Sequence, residues 1–336
     1  MASARATNYA PDIYKALNGI LHVYKPPQIG LREFIVELRE RVSDLLNKCE
    51  PRPIAKRLAI VGDAGVEKQI VEVPNLADHP LVVGPRYAPW ELKMWPVPTH
   101  LGYMSSGICV ILMGRGIRYW RTKFSRAKLV NVYEISGTFG YVTDTFLYNG
   151  KITDKSTYGH IRTGKLDSVI AKIESSQTDR LFDAASVPLN SQEAYELAKA
   201  WPSRPARMAS WPVIYRIRCT HFKLPEFKIE VTCANENEKF LAQLPHDIGQ
   251  MLRSAAYTKS IRRVKLGPFD VNDCLSDKDW ELQPIIDNLQ IYNNKYHELD
   301  DILRSYTQVI RPVRTEHRPS FIANEPTNVQ VSGIRS

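Results

Sequence analysis

Gly107-Ile108-Cys109-Val110-Ile111-Leu112-Met113 is an unbroken apolar run closed by Gly114. Such a run leaves no face for water, so it is expected as an inner strand covered on both sides. A second segment has the opposite character. Phe227, Ile229, Val231 and Cys233 alternate with Lys228, Glu230 and Thr232, the period of two that marks a strand half on the core and half in solvent.

Working outward, Gly19-Ile20-Leu21-His22-Val23-Tyr24 reads as a strand ended by Lys25-Pro26-Pro27. Leu31, Phe34, Ile35, Leu38, Val42, Leu45 and Leu46 then recur at helical spacing. Leu58 to Val61 and Ile70, Val71 and Val73 suggest two strands joined through a glycine-containing turn, and residues 75–100 suggest a long ordered loop. Leu129, Val130, Val132, Tyr133 and Ile135 suggest a further strand, and Asn190, with Glu193 three residues on, has the spacing of a helix cap. Phe240, Leu241, Leu244, Ile248, Met251 and Leu252 form a helical face in which Pro245 is expected to break or kink the helix. One more helix is expected after Trp280, carrying Ile286, Leu289, Ile302 and Leu303. Strands mixed with helices, without regular βαβ alternation, place the chain in the α+β class.

The 336 residues are 43% hydrophobic and 24% charged, enough to bury a core in one large domain or about two smaller ones. Lys and Arg number 45 against 36 Asp and Glu, a net +9 that favours a polyanionic partner, nucleic acid first. No apolar run approaches the roughly eighteen residues of a membrane span. Five cysteines, an odd number without a CxxC pair, suggest neither a disulfide framework nor a zinc ribbon. Residues 1–15 read as a flexible arm or weak leader, 16–280 as the main domain, and 281–336 as a C-terminal helix and a disordered tail.

The window from Leu92 to Tyr133 holds no acid but carries Lys93, Arg115, Arg118, Arg121, Lys123, Arg126 and Lys128, interleaved with Tyr119, Trp120 and Phe124. Uncompensated cations beside aromatic residues suit a nucleic-acid surface, by phosphate attraction and base stacking. Lys259, Arg262, Arg263 and Lys265 form a second candidate phosphate-binding cluster. Other chemistries fit poorly. Gly114-Arg115-Gly116 is followed by Tyr119 where a dinucleotide loop needs glycine. The eight histidines, His100, His221 and His246 among them, show no metal-ligand spacing, and Ser105-Ser106-Gly107 is not a nucleophile elbow. No cofactor or metal is expected.

A family resemblance rests on several motifs in order. They are Gly19 to Pro27, Ser106-Gly107 leading into the apolar strand, and Tyr133 to Asp144 with Gly140 and Thr143. Further on come Gln192-Glu193-Ala194-Tyr195-Glu196 and the block from Val231 through Asp247-Ile248-Gly249 to Ile261-Arg262-Arg263, Gly267-Pro268-Phe269 and Val271 to Asp273. Together they resemble TruB-type RNA pseudouridine synthases, over roughly residues 16–280. His79-Pro80-Leu81-Val82 and Gly84-Pro85 are similar to the animal mitochondrial branch of that family.

The resemblance implies a pseudouridine synthase fold, a mixed, largely antiparallel sheet flanked by helices with an RNA-binding cleft. It also implies isomerisation of a flipped-out uridine without cofactor or metal, and location in the mitochondrial matrix. The family uses one aspartate in an Arg-Leu-Asp motif; here the corresponding residues are His100-Leu101-Gly102, so the aspartate position is Gly102. The arginine that pairs with that aspartate falls at Ala242, and a lysine near the pocket falls at Asn131. Tyr133 matches the tyrosine that stacks on the target base, and Lys25 and Pro26 match residues of the pocket wall. Glycine supplies neither nucleophile nor base. The expectation is therefore an RNA-binding family member with little or no isomerase activity. An active mitochondrial mRNA or tRNA synthase using a displaced acid is the alternative, and a structural factor in mitochondrial RNA processing or ribosome assembly, docked on partner proteins, is the third reading.

Overall fold

The computed structural model describes residues 8–61, 69–97, 101–127, 129–185, 187–188, 190–199, 204–205, 212–306 and 309–310. The chain opens with α1 (Ala10–Ala16), β1 (Gly19–Lys25), α2 (Leu31–Asn47), β2 (Lys56–Val61), β3 (Gln69–Pro74), α3 (Pro80–Val83) and β4 (Met94–Pro96). It continues through β5 (Ser105–Met113), α4 (Arg115–Arg126), β6 (Asn131–Phe139), β7 (Tyr141–Thr143), β8 (Ile152–Lys155), α5 (Thr163–Ala185) and α6 (Gln192–Lys199). The last part holds β9 (Arg204–Pro205), β10 (Val213–Lys223), β11 (Glu226–Ala234), α7 (Glu238–Met251), β12 (Ala256–Leu266), β13 (Phe269–Asp270), α8 (Leu282–Asn294), α9 (Tyr296–Ser305) and β14 (Val309–Ile310).

An eight-stranded sheet runs in the order β1-β5-β12-β6-β11-β10, with β4 beside β5 and β13 beside β12. β12 and β5 pair in parallel, Ile261 opposite Ser105 and Arg263 opposite Gly107, while the other pairings of this sheet are antiparallel. The fold is the expected α+β arrangement, a mixed and largely antiparallel sheet flanked by helices.

All nine residues of β5 are buried, for the reason its composition requires. Cys109, Ile111 and Met113 pack with Phe34 and Leu38 of α2 and with Ile285 and Leu289 of α8. Ile108, Val110 and Leu112 pack on the other side with Trp120 and Phe124 of α4 and with Leu299 and Leu303 of α9. Farther along the sheet, α5 and α7 cover one face only, setting Ile170, Leu241 and Ile248 against Ile135, Ile217 and Ile229. The opposite face carries Ser136 and Lys228, so β11 alternates between covered and wet positions as its sequence demands.

Several elements differ from the sequence expectations. Residues 10–16 of the supposed arm form α1, whose Ile13 and Leu17 join the core. Helices α4 and α5 were not foreseen; Trp120 and Phe124, and Leu166, Ile170 and Ile173, have helical spacing that the charged residues between them obscure. Pro245 lies inside a continuous α7, because the packing of Leu241, Leu244 and Ile248 on the sheet outweighs the one backbone donor that proline lacks. Ser191, not Asn190, caps α6, its Oγ accepting from the Ala194 N–H at 3.2 Å. The single helix expected after Trp280 is two, α8 and α9, since their apolar residues serve opposite faces of the sheet and the chain must turn between them. The hairpin of β2 and β3 forms as expected; its turn, His100, Lys128 and residues 311–336 lie outside the described residues. Among the described residues no helix is long and apolar enough to cross a membrane.

Candidate functional site

Lys25 ends β1 with no solvent exposure, and its ammonium closes a ring of carbonyls. Nζ donates to Ser105 O at 2.8 Å and to Gly102 O and Pro26 O at 3.0 Å each. Burial pushes the lysine pKa down to about 8, against the opposing pull of the Glu238 carboxylate. Pro26 is exposed on the rim. Lys25 thus pins the segment 102–105 to the end of β1. Lys25→Met should strand those carbonyls and destabilise the fold by about 2 kcal/mol, read as a lowered urea midpoint at pH 7; an unchanged midpoint would contradict this structural role.

Gly102 brings no side chain to the segment, yet a carboxylate is there. A Cβ added at Gly102 would land inside the carboxyl group of Glu238, 136 positions later in the chain. Glu238 is the first residue of α7, where Asn237 caps the helix by accepting from the Phe240 N–H at 2.7 Å. An acid in a first turn is favoured by the helix dipole. Its Oε1 accepts from the Met104 N–H at 2.6 Å, which holds the side chain against the loop. Sequence reasoning missed Glu238 because no spacing rule links positions 102 and 238; the one local signal was an acid just after an asparagine cap. Ala242, one turn further along α7, is buried, and its carbonyl accepts from Thr258 Oγ1 at 2.7 Å.

Tyr133 is not an open stacking platform in this structure. It is 1% exposed, in the core with Leu101, Ala242 and Ile261. Its hydroxyl donates to Glu236 Oε1 at 2.8 Å, and Asn131 Nδ2 donates to the same oxygen at 2.6 Å. Burial first, then the neighbouring Glu236 carboxylate, holds the phenol well above its usual pKa despite the opposing Arg263 guanidinium. Arg263 is fully buried: Nε and Nη2 donate to Ile108 O at 3.0 and 2.6 Å, and Nη1 lies 3.5 Å from the Tyr133 hydroxyl. It therefore cannot contact phosphate from this position, contrary to the sequence expectation.

The remaining basic residues divide by environment. Arg115, Arg118 and Arg121 stand exposed along α4, which carries no acid, and Lys93 is exposed near the start of that helix. Arg121 lies 5.5 Å from the Trp95 ring. Lys123 is instead tied to Asp300 of α9 at 2.6 Å and lies 3.8 Å from the Tyr119 ring, so it fastens two helices. Trp120 and Phe124 are core residues rather than stacking surfaces; Tyr119 is exposed. Arg262 is exposed, 5.8 Å from the Tyr24 ring, whereas Lys259 and Lys265 pair with Glu226 and Asp270. Tyr195 is exposed on α6. Among the described residues no His, Cys, Asp and Glu cluster is arranged to hold a metal. A cavity of about 800 Å³ borders the loop, with Pro27, Met104, Ser106, Tyr148, Tyr257 and Ile261 in its wall.

Residues 99–238 match the family model for the N-terminal domain of TruB family pseudouridylate synthases. The chain is 32% identical over 284 residues to the mitochondrial pseudouridylate synthase TRUB2 of Xenopus tropicalis, covering 82% of this chain and 86% of that relative. It is 35% identical over 283 residues to the Mus musculus protein of the same name, covering 82% and 83%. A solved Cbf5-Nop10-Gar1 complex aligns over 88% of this chain and 60% of its own, with 13% identity and a TM-score of 0.43.

Proposed function

This chain belongs to the TruB family of pseudouridylate synthases, and on that premise we propose that it binds mitochondrial RNA while residue 102 contributes no chemistry. The carrying observation is the loop itself: its place for a reacting carboxylate is a glycine, and the Glu238 side chain occupies the space its Cβ would take. Turnover by the family's loop aspartate is absent, and the expected arginine partner is a buried alanine. Replacing both members of such a pair avoids an unpaired buried charge, so the two losses are physically consistent.

The RNA-binding part of the proposal rests on Lys93 and on Arg115, Arg118 and Arg121 of α4, a helix without acids, beside which Glu91 shares a hollow with Lys93 and Arg115, and Arg262 is a separate exposed cation. Tyr133, Lys25 and Pro26 retain the family's pocket positions, with Lys25 as scaffold and Tyr133 closed behind its hydrogen bond to Glu236. Mitochondrial location is the reading that the TRUB2 relatives favour.

If the four cations each neutralise one phosphate of single-stranded RNA, log affinity should fall with log salt at a slope of about −3. That is roughly a 50-fold loss between about 50 and 200 mM salt. Fluorescence anisotropy with a uridine-rich RNA measures this directly. Changing all four to glutamine should flatten the slope, because each single-strand phosphate contact removed lowers it by about 0.7. A wild-type slope near zero would remove the electrostatic basis of RNA binding.

A further inference from the structure

A hollow of about 430 Å³ opens where α1, the segment 91–93 and the junction of β5 with α4 meet. It lies at the end of β5 away from the 102–105 loop, about 26 Å from it at the usual rise of a strand. Its walls are tied together. Asn18 Oδ1 accepts from the Arg115 N–H and Asn18 Nδ2 donates to Lys15 O, both at 2.6 Å, and the Gly114 N–H donates to Lys93 O at 3.0 Å. Leu17, Leu92 and Met113, all buried, give the lining an apolar floor. Tyr14 stands exposed at one side, its ring 5.2 Å from that of Tyr87 and its hydroxyl donating to Glu91 O at 3.5 Å. Lys15, Glu91, Lys93 and Arg115 bring charge to the same lining. Lys15 is paired with Asp12 at 3.1 Å, but Glu91, Lys93 and Arg115 enter none of the ion pairs among the described residues.

We infer that this hollow binds a nucleoside 5′-monophosphate, either free or as the phosphorylated end of an RNA chain. Each part of that ligand meets one feature of the lining. The base is flat and largely apolar on its faces, which suits the floor of Leu17, Leu92 and Met113 and stacking on Tyr14. The ribose diol offers hydroxyl donors, and a carboxylate such as Glu91 is the acceptor that holds them. The phosphate is an anionic acceptor, and the Lys93 ammonium and Arg115 guanidinium are donors with no carboxylate on them. Simpler anions use less of the hollow. Inorganic phosphate leaves the apolar floor uncovered, and a fatty acyl chain sets hydrocarbon against the charged Glu91, which costs desolvation without a hydrogen bond in return. The inference goes beyond the RNA-binding reading and does not depend on it, although Lys93 and Arg115 serve both.

Isothermal titration calorimetry of the full chain with adenosine 5′-monophosphate, in the absence of RNA, tests this. A Kd below about 1 mM is expected, a modest affinity for a ligand of this size. Adenosine and inorganic phosphate should each bind about 10-fold more weakly or worse, because each lacks part of the contacts. The 2′-deoxy nucleotide should also lose about 10-fold, and Glu91→Ala should bind the two nucleotides equally. Changing Lys93 and Arg115 together to glutamine should weaken the nucleotide by about 10-fold or more. Absence of binding at about 5 mM nucleotide would overturn the inference. Equal affinity for the nucleotide and inorganic phosphate would do the same, as would wild-type affinity in the double glutamine variant. The wild-type titrations decide the matter even if a variant does not fold. Comparing 5′-phosphorylated with 5′-hydroxyl RNA then separates the sources. A preference of about 10-fold for the phosphorylated end, abolished by saturating nucleotide, assigns the hollow to an RNA terminus; no preference assigns it to the free nucleotide. Because the first titration contains no RNA, its failure leaves the RNA-binding proposal standing, and a flat salt dependence of RNA affinity leaves the nucleotide site standing.

Discussion

His22→Leu should make the protein markedly more resistant to acid, by about 4 kcal/mol at pH 3 relative to the wild-type chain. His22 sits in β1 with 1% exposure, its ring 4.8 Å from that of Phe269. Burial lowers its pKa from the ordinary 6.5 to about 3, only partly offset by hydrogen bonding with Asn288. The folded state therefore keeps the imidazole neutral while the unfolded chain protonates it below pH 6.5. Between about 6.5 and 3 the unfolded state binds the extra proton, so stability falls as pH falls. Above 6.5 both states are neutral at this position and the term vanishes. Against a total stability of about 5–15 kcal/mol, a loss of this size is enough to unfold a domain. Urea unfolding of both proteins at several pH values between 3 and 7 measures the difference. Parallel curves for wild type and His22→Leu across that range would show that His22 is not the group responsible.

The second large effect is expected at Arg263. Arg263→Leu should destabilise the fold by about 3–5 kcal/mol, because it leaves Glu236 as an uncompensated buried charge. Arg263 reaches Glu236 through the Tyr133 hydroxyl and joins β12 to β5 through the Ile108 carbonyl. The backbones are close here: a Cβ on Gly107 would collide with the Arg263 backbone, and Gly107 adopts φ of +120°, so neither partner has room to shift. Adding Glu236→Gln to Arg263→Leu should recover part of the loss by neutralising the stranded carboxylate. The double-mutant cycle should give a coupling above about 0.5 kcal/mol; simple additivity would disprove the proposed network. The same variant separates structure from binding, since a guanidinium with no exposure should add nothing to the salt dependence of RNA affinity.

Legibility followed the range of the interaction. The period of two in residues 227–233, the apolar run 107–113 and the helical face of residues 31–46 each report a local backbone geometry, and each formed as expected. Pro245 does not end α7, because packing on the sheet outweighs local propensity there. Arg262 and Arg263 show the limit clearly. Adjacent residues on one strand face opposite ways, so one cation is exposed and its neighbour is fully buried, and an unlocated bulge or register hides which is which.

The candidate site divides in the same way. The amino-acid sequence by itself determined the α+β class, the family, the acid-free stretch from Leu92 to Tyr133 and the loss of any side chain at position 102, because these depend on composition, periodicity and residue order. Only the tertiary structure decided that Lys25 gathers the loop carbonyls, that Tyr133 is locked to Glu236, and that the Glu238 carboxylate fills the space beside Gly102. Those facts come from contacts that join positions 77 to 136 residues apart, β1 to the loop, β6 to Glu236 and α7 to Gly102, and short-range pattern carries no record of a contact made across such distances.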